Sequence, residues 1–132
     1  MIIKQISVFV ENRSGRLAEI TSIIAEAGCS IRALSIADTT NFGILRLIVD
    51  DSKKAEDALR TNGLAVSITN VINVRIEDKP GGLSKVLKMM SEQGIAVEYM
   101  YAFISKCENE AQVVMRIEDL NRADELLTKA GY

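Results

Sequence analysis

The 132-residue sequence predicts an α+β chain of two βαββαβ units, each an antiparallel sheet with both helices on one face. Two observations carry this. The stretch ENRSGRLAEI at residues 11–20 returns as EDKPGGLSKV sixty-six residues later. Each copy sits between a run of period two and a run of period 3.6.

The repeat holds register along most of the chain. Ile6 matches Ile72, Val8 matches Val74, Glu11 matches Glu77, Gly15 matches Gly81, and Leu17 matches Leu83. Glu26 and Gly28 then fall on Glu92 and Gly94. After residue 42 the shift becomes 68, with Asp51 on Asp119, Ala55 on Ala123, Leu59 on Leu127 and Gly63 on Gly131. The change falls in the polar stretch SKCENEAQ, where a hairpin loop absorbs it. Duplication predicts units at 1–70 and 71–132. A unit of about 66 residues buries only a modest core, so two halves sharing a sheet or an interface are expected rather than two independent beads.

Each element has its own reason. Ile6, Val8 and Val10 alternate with Ser7 and Phe9, and Ile72, Val74 and Ile76 with Asn73 and Arg75, which predicts the first strand of each unit. Leu17, Ile20 and Ile24 share one helical face, answered by Leu83, Val86, Leu87 and Met90. Gly28 and Gly94 supply the left-handed residue that closes such a helix. Second strands follow in IRALSIA and VEYMYAFI, and third strands in GILRLIV and AQVVMRI. SKKAEDALRTNG and LNRADELLTKAG predict the second helices, and LAVSITNV the fourth strand of the first unit. That strand runs into the second unit almost without a linker, so it is a candidate for sharing between sheets. After Tyr132 no residues supply a fourth strand to the second unit, whose sheet is expected to lack that edge or to borrow it from another chain.

Composition narrows the function. Hydrophobic residues make up 48% and charged residues 26%, a globular balance. The net charge is −2 and the longest basic cluster is Lys53-Lys54, so no stripe awaits phosphates and no nucleic acid is expected. There is no histidine, which removes the commonest general base and metal ligand. Cys29 and Cys107 form neither a metal-ligand spacing nor a disulfide framework. The N-terminal run reads as a strand rather than a leader, and no run approaches the ~18 apolar residues of a membrane span. A cytoplasmic protein with no membrane partner, no metal and no cofactor is the expectation. If Leu45, Leu47 and Val49 face the helices, Ile44 and Ile48 face away, joined by Leu34 and Ile36. Such a patch on an uncovered sheet face predicts sheet packing in a homodimer.

The repeated turn carries the chemistry. A helix N-terminus offers unpaired N–H groups and a partial positive charge to an anion such as a carboxylate. Gly15 and Gly81 let a ligand approach the backbone. Asn12 and Asp78 place an acceptor suited to an ammonium group. Carboxylate beside ammonium describes a free amino acid. Plain helix capping explains the same Asn, Ser, Asp and Pro, and both readings stand at this point.

Taken with the duplication, the chain resembles the ACT domain family, specifically small proteins of two ACT units and nothing else. NRSGRL followed by Gly28-Cys-Ser-Ile, DKPGGL followed by Gly94-Ile-Ala-Val, FGILRLIV at 42–49 and EYMYAF at 98–103 carry the resemblance. It implies the ferredoxin-like fold, side-by-side pairing of units, an amino acid bound at the seam between them, and regulation of a separate enzyme without catalysis. The implied ligand loops are Asn12, Arg13, Ser14, Gly15, Arg16 and Leu17, and Asp78, Lys79, Pro80, Gly81, Gly82 and Leu83. Ser30, followed by Ile31, and Ala96 stand where the family often has an asparagine. Ser30 would complete the Asp78 loop across the seam, and the Asn12 loop would face Ala96 and Tyr99. Two unequal sites are therefore implied.

Other classes fit less well. RRM-like binding of single-stranded nucleic acid shares the plan but needs aromatics on central strands, and AQVVMRI has none. A pure protein-interaction module remains an alternative. Acylphosphatase-like chemistry could be caricatured by Asn12, Arg13 and Arg16, yet no acid–base pair accompanies them. Metal carriage wants two cysteines in the first loop, which has none.

Overall fold

The computed structural model describes residues 1–38, 41–104 and 108–132. Cys107 and the start of the SKCENEAQ loop lie outside them. The chain divides into two compact units: Lys4–Thr69, and Asn70–Tyr132 together with Met1–Ile3.

In the first unit β1 (Ile2–Glu11) leads into α1 (Arg16–Glu26), β2 (Ile31–Asp38), β3 (Phe42–Val49), α2 (Ser52–Thr61) and the start of β4 (Val66–Glu77). Strand order is β2-β3-β1-β4, and β1 meets β3 antiparallel with Ile6 opposite Leu47 and Val8 opposite Leu45. Those residues, with Val10 and Val49, face Ile20 and Ile24 of α1 and Ala55 and Leu59 of α2, and Cys29, Leu64 and Val66 close the core. Each fully buried Ile or Leu contributes about 1.5–3 kcal/mol of transfer free energy, which holds the helices on the sheet. Leu17, expected with Ile20 and Ile24, stays 42% exposed and lies outside the buried core they form.

The second unit continues along β4, which is one unbroken strand, into α3 (Gly82–Glu92), β5 (Val97–Ala102), β6 (Glu110–Ile117) and α4 (Leu120–Lys129). Its core repeats the first residue for residue. Ile72, Val74, Ile76, Val86, Met90, Ile95, Val113, Met115, Ile117, Ala123 and Leu127 stand for Ile6, Val8, Val10, Ile20, Ile24, Cys29, Leu45, Leu47, Val49, Ala55 and Leu59. The edge expected to be missing or borrowed from another chain is served in part by this chain's own first residues. Asn73 N–H donates to Met1 O at 2.9 Å, the Met1 ammonium donates back to Asn73 O at 3.3 Å, and that ammonium pairs with Asp124 at 3.3 Å.

A bulge overturns part of the expected open face. Ile31 lies opposite Val49, but the next pair is Ala33 with Ile48, so Arg32 is the extra residue. The bulge flips the alternation: Leu34 and Ile36 come opposite Leu47 and Leu45, on the helix side, where they stay 45% and 44% exposed because β2 is an edge strand. Ile44 and Ile48 do face away, yet Ile48 is buried and forms no exposed patch. Gln5 and Ser7 share that face and are buried too, with Gln5 Nε2 donating to Ser7 Oγ at 3.3 Å. The second unit has the same bulge at Glu98, which puts Met100 opposite Met115 and turns Tyr99 and Tyr101 away from the helices, opposite Arg116 and Val114.

Candidate functional site

The two repeated turns fold alike. In the first, Asn12 N–H donates to Asn41 O (3.1 Å), Arg13 N–H to Glu11 O (2.9 Å) and Arg16 N–H to Arg13 O (3.4 Å). In the second, Asp78 N–H donates to Asn109 O (3.0 Å), Lys79 N–H to Glu77 O (2.9 Å) and Gly82 N–H to Lys79 O (3.1 Å). Asn41 and Asn109, at the mouths of the β2–β3 and β5–β6 connections, are anchors that sequence reasoning missed. Their identity at a shift of 68 was the available signal.

The capping alternative separates here. Helices α1 and α3 begin at Gly15 (φ 83) and Gly81 (φ 87), both left-handed, and neither has a side-chain cap. Helices α2 and α4 begin at Asp51 and Asp119, whose carboxylates accept from Lys54 N–H (3.1 Å) and Arg122 N–H (3.2 Å). The same chain thus caps two helices with side chains and leaves the two repeated turns open. A Cβ built on Gly15 or Gly81 meets nothing within 4 Å, so these glycines serve the left-handed backbone and leave space in front of it. Gly82 differs: a Cβ there would stand 2.2 Å from Glu77 O.

The electrostatics of the loops are unequal. Arg13 reaches Glu11 (3.4 Å) and Glu19 (3.9 Å), and Arg16 reaches Glu19 (2.9 Å), so one carboxylate serves two guanidiniums. Arg16 Nε is buried, and no described residue hydrogen-bonds to it. In the second loop Lys79 pairs with Glu77; their hydrogen bond holds the Glu77 carboxyl below its usual range and the Lys79 ammonium above its own. Ser14 and Pro80 are exposed at the loop tips. Asn12, Arg16 and Leu17 line a small cavity of about 90 Å³ with Val10, Ile36 and Gly43. Lys79, Pro80, Gly81 and Gly82 border a larger groove of about 540 Å³ that also touches Arg75 and Lys85. The larger volume falls in the range of small-molecule sites, roughly 300–1,000 Å³, and the smaller falls below it. Arg75 and Lys85 replace Phe9 and Glu19, so nothing in the repeat pointed to them.

Ser30 and Ile31 stand at the other end of the first unit. Glu11 lies opposite Phe42 and Ile31 opposite Val49, seven residues along β3, which is about 23 Å at strand spacing. Ser30 N–H donates to Asp50 Oδ1 at 2.9 Å, and this bond is the main cause holding the Asp50 carboxyl below its ordinary range. Tyr99, opposite Arg116, is likewise remote from the Asp78 loop, which follows the Glu77–Glu110 pair. Within each unit the structure therefore brings the loop residues together and leaves Ser30, Ile31 and Tyr99 apart from them. Among the described residues no three of His, Cys, Asp and Glu gather as metal ligands, and no helix is long and apolar enough to cross a membrane.

The family model of the ACT domain pair matches residues 1–131. Among solved structures, a protein of Bacteroides thetaiotaomicron is 43% identical with a TM-score of 0.92, over 98% of this chain and 89% of that one. The ligand-free regulatory subunit of aspartate kinase from Thermus thermophilus is 16% identical with a TM-score of 0.71, over 100% and 96% of the chains. Its counterpart from Thermus flavus is 16% identical with a TM-score of 0.65 over the same shares. At that identity the likeness is one of fold. No curated protein sequence matches the chain.

Proposed function

This chain belongs to the ACT domain pair family, and on that premise we propose that it is a regulatory protein whose two repeated turns bind a free amino acid. One observation carries the reading: α1 and α3 start on left-handed glycines with no side-chain cap, whereas α2 and α4 are capped by Asp51 and Asp119. Uncapped N–H groups at the positive end of a helix suit the ligand's carboxylate. Asn12 and Asp78 supply the acceptor for its ammonium group. The Asp78–Leu83 loop, beside the larger groove, is the principal site, and the Asn12–Leu17 loop is the weaker one.

In this reading the pair regulates an enzyme and takes no part in catalysis itself. The same fold serves as a regulatory subunit in the Thermus aspartate kinases, an analogy of fold in keeping with this reading. A homodimer belongs to the reading, with exposed Leu17, Leu34 and Ile36 as its contact surface. The cytoplasm is its compartment.

Thermal unfolding against each of the twenty amino acids tests the reading. A ligand that binds only the folded form adds about 2.7 kcal/mol of stability at a hundredfold excess over its dissociation constant. One amino acid should raise the midpoint, and the rise should vanish in Gly81→Val, where a β-branched residue cannot hold the left-handed backbone. A flat response to all twenty would overturn amino-acid binding and leave the fold assignment intact.

A further inference from the structure

The four described helices end on the same kind of turn, and one of those ends carries an asparagine. Left-handed glycines close them at Gly28 (φ 75), Gly63 (φ 77), Gly94 (φ 68) and Gly131 (φ 88). The residues just before are Ala27, Asn62, Gln93 and Ala130, the C-caps of α1, α2, α3 and α4. After α2, Asn62 N–H donates to Ala58 O at 3.2 Å and Gly63 N–H to Arg60 O at 3.0 Å. After α4, Ala130 N–H donates to Leu126 O at 3.1 Å and Gly131 N–H to Thr128 O at 3.1 Å. Alanine therefore suffices for this turn, and the backbone does not require an asparagine at 62. Asn62 and Gly63 are both exposed. The six other asparagines precede Arg13, Phe42, Val71, Val74, Glu110 and Arg122, so Asn62 alone stands before a residue with no Cβ to crowd its amide nitrogen. Just beyond the turn, Leu64 and Val66 enter the first core.

We propose that Asn62–Gly63 is a self-modifying site, converted by intramolecular cyclisation at a rate gated by the last turn of α2. The Gly63 nitrogen bonds to Asn62 Cγ, the Cγ–Nδ2 bond breaks, and ammonia leaves with the proton of the Gly63 N–H. Water then opens the five-membered imide. Breaking the new N–Cγ bond leaves an aspartate at position 62. Breaking the original main-chain bond leaves an isoaspartate, with one more carbon in the backbone. The folded turn holds the reaction back. Asn62 Nδ2 donates to Ala58 O at 2.8 Å, the Gly63 N–H is held by Arg60 O, and ring closure must rotate ψ of Asn62 from 15 until the Gly63 nitrogen eclipses Cβ. Conversion therefore proceeds through local opening of the turn. The aspartate product adds a charge at the negative end of α2. The isoaspartate product also lengthens the path to Leu64, whose N–H donates to Leu59 O at 3.1 Å, and so shifts Leu64 and Val66 out of their places in the core. The inference does not rest on amino-acid binding and can fail separately from it.

The full 132-residue protein is incubated beside a free peptide of residues 58–66, ALRTNGLAV, at neutral and mildly alkaline pH. Peptide mapping by mass spectrometry reads the exchange of amide for acid at each asparagine, and isoaspartyl methyltransferase labelling reads the isoaspartate share. Asn62 should convert before the other six, and faster as pH rises, because the attacking nitrogen must lose its proton. The protein should lag the peptide by roughly five- to 150-fold, since opening the turn releases two hydrogen bonds. Asn62→Ala should end conversion at this position and still fold, as Ala130 shows in the copy of the turn. The isoaspartate form, separated by chromatography, should melt below Asn62→Asp, which carries the charge without the extra carbon. Conversion led by another asparagine, or a longer lag than that range, would overturn the site. A protein that keeps pace with the peptide would overturn the gating by α2, and equal midpoints for the isoaspartate form and Asn62→Asp would overturn the link to the core.

Discussion

Gly82→Ala isolates the steric demand of the second turn. A Cβ at this position would lie 2.2 Å from Glu77 O and 3.3 Å from Glu77 C, both backbone atoms that cannot swing aside. The loop must open by about 1 Å, and overpacking of that size costs about 1–3 kcal/mol. The first turn indicates the direction, because Arg16 occupies the equivalent place and its N–H to Arg13 O distance is 3.4 Å, against 3.1 Å for Gly82 to Lys79. For a chain of 132 residues the loss corresponds to a fall of about 4–11 °C in the unfolding midpoint. Calorimetry reads that fall, and amide exchange at Gly82 reads the opened turn. Gly81→Ala is the control: nothing crowds its Cβ, and its φ of 87 alone predicts a loss of about 1–2 kcal/mol. A Gly82→Ala protein that melts with the wild type and keeps the Lys79–Gly82 bond would refute the steric argument.

The capping contrast predicts that Asp51→Ala and Asp119→Ala each cost about 1 kcal/mol in denaturant unfolding, while Asn12→Ala and Ser14→Ala leave stability unchanged because α1 has no side-chain cap. Asp50 gives an acid-side pH dependence. Its carboxylate accepts from Ser30 N–H and Asp51 N–H, so its folded pKa lies below the unfolded value, and the stability it contributes is present above the ordinary carboxylate range and lost as pH falls through the lowered value. Asp50→Asn should flatten that part of a stability-versus-pH curve, and an unchanged acid limb would contradict the assignment. Burial, and next the carboxylates of Asp50 and Asp51, push the Cys29 thiol up; in a Cys107→Ala background a thiol reagent should label Cys29 only as fast as the first unit opens.

Much of this architecture was legible before any coordinates. Spacing of two and of 3.6 put Ile6, Val8 and Val10 on a strand and Ile20 and Ile24 on a helix, and the shifts of 66 and 68 paired each with its copy. Hydrophobic burial obeys those periods, so pattern and core agree. The glycines after each helix were readable for a related reason, since left-handed backbone penalises any Cβ. The loops themselves were found, but their meaning was not. Asn12, Ser14 and Asp78 are good caps by type, and only the observed hydrogen bonds reveal that α1 and α3 use none of them.

What the chain order concealed was decided by contacts distant in sequence. A bulge at Arg32 or Glu98 inserts one residue without changing the hydrophobic composition around it, yet it moves Leu34, Ile36 and Met100 to the helix side. The pairing of Met1 with Asn73 joins residues seventy-two apart, and no local propensity encodes a partner at that separation. Local spacing thus determines which residues can form a strand, a helix or a turn, while only packing determines which edge each strand meets and what it leaves uncovered.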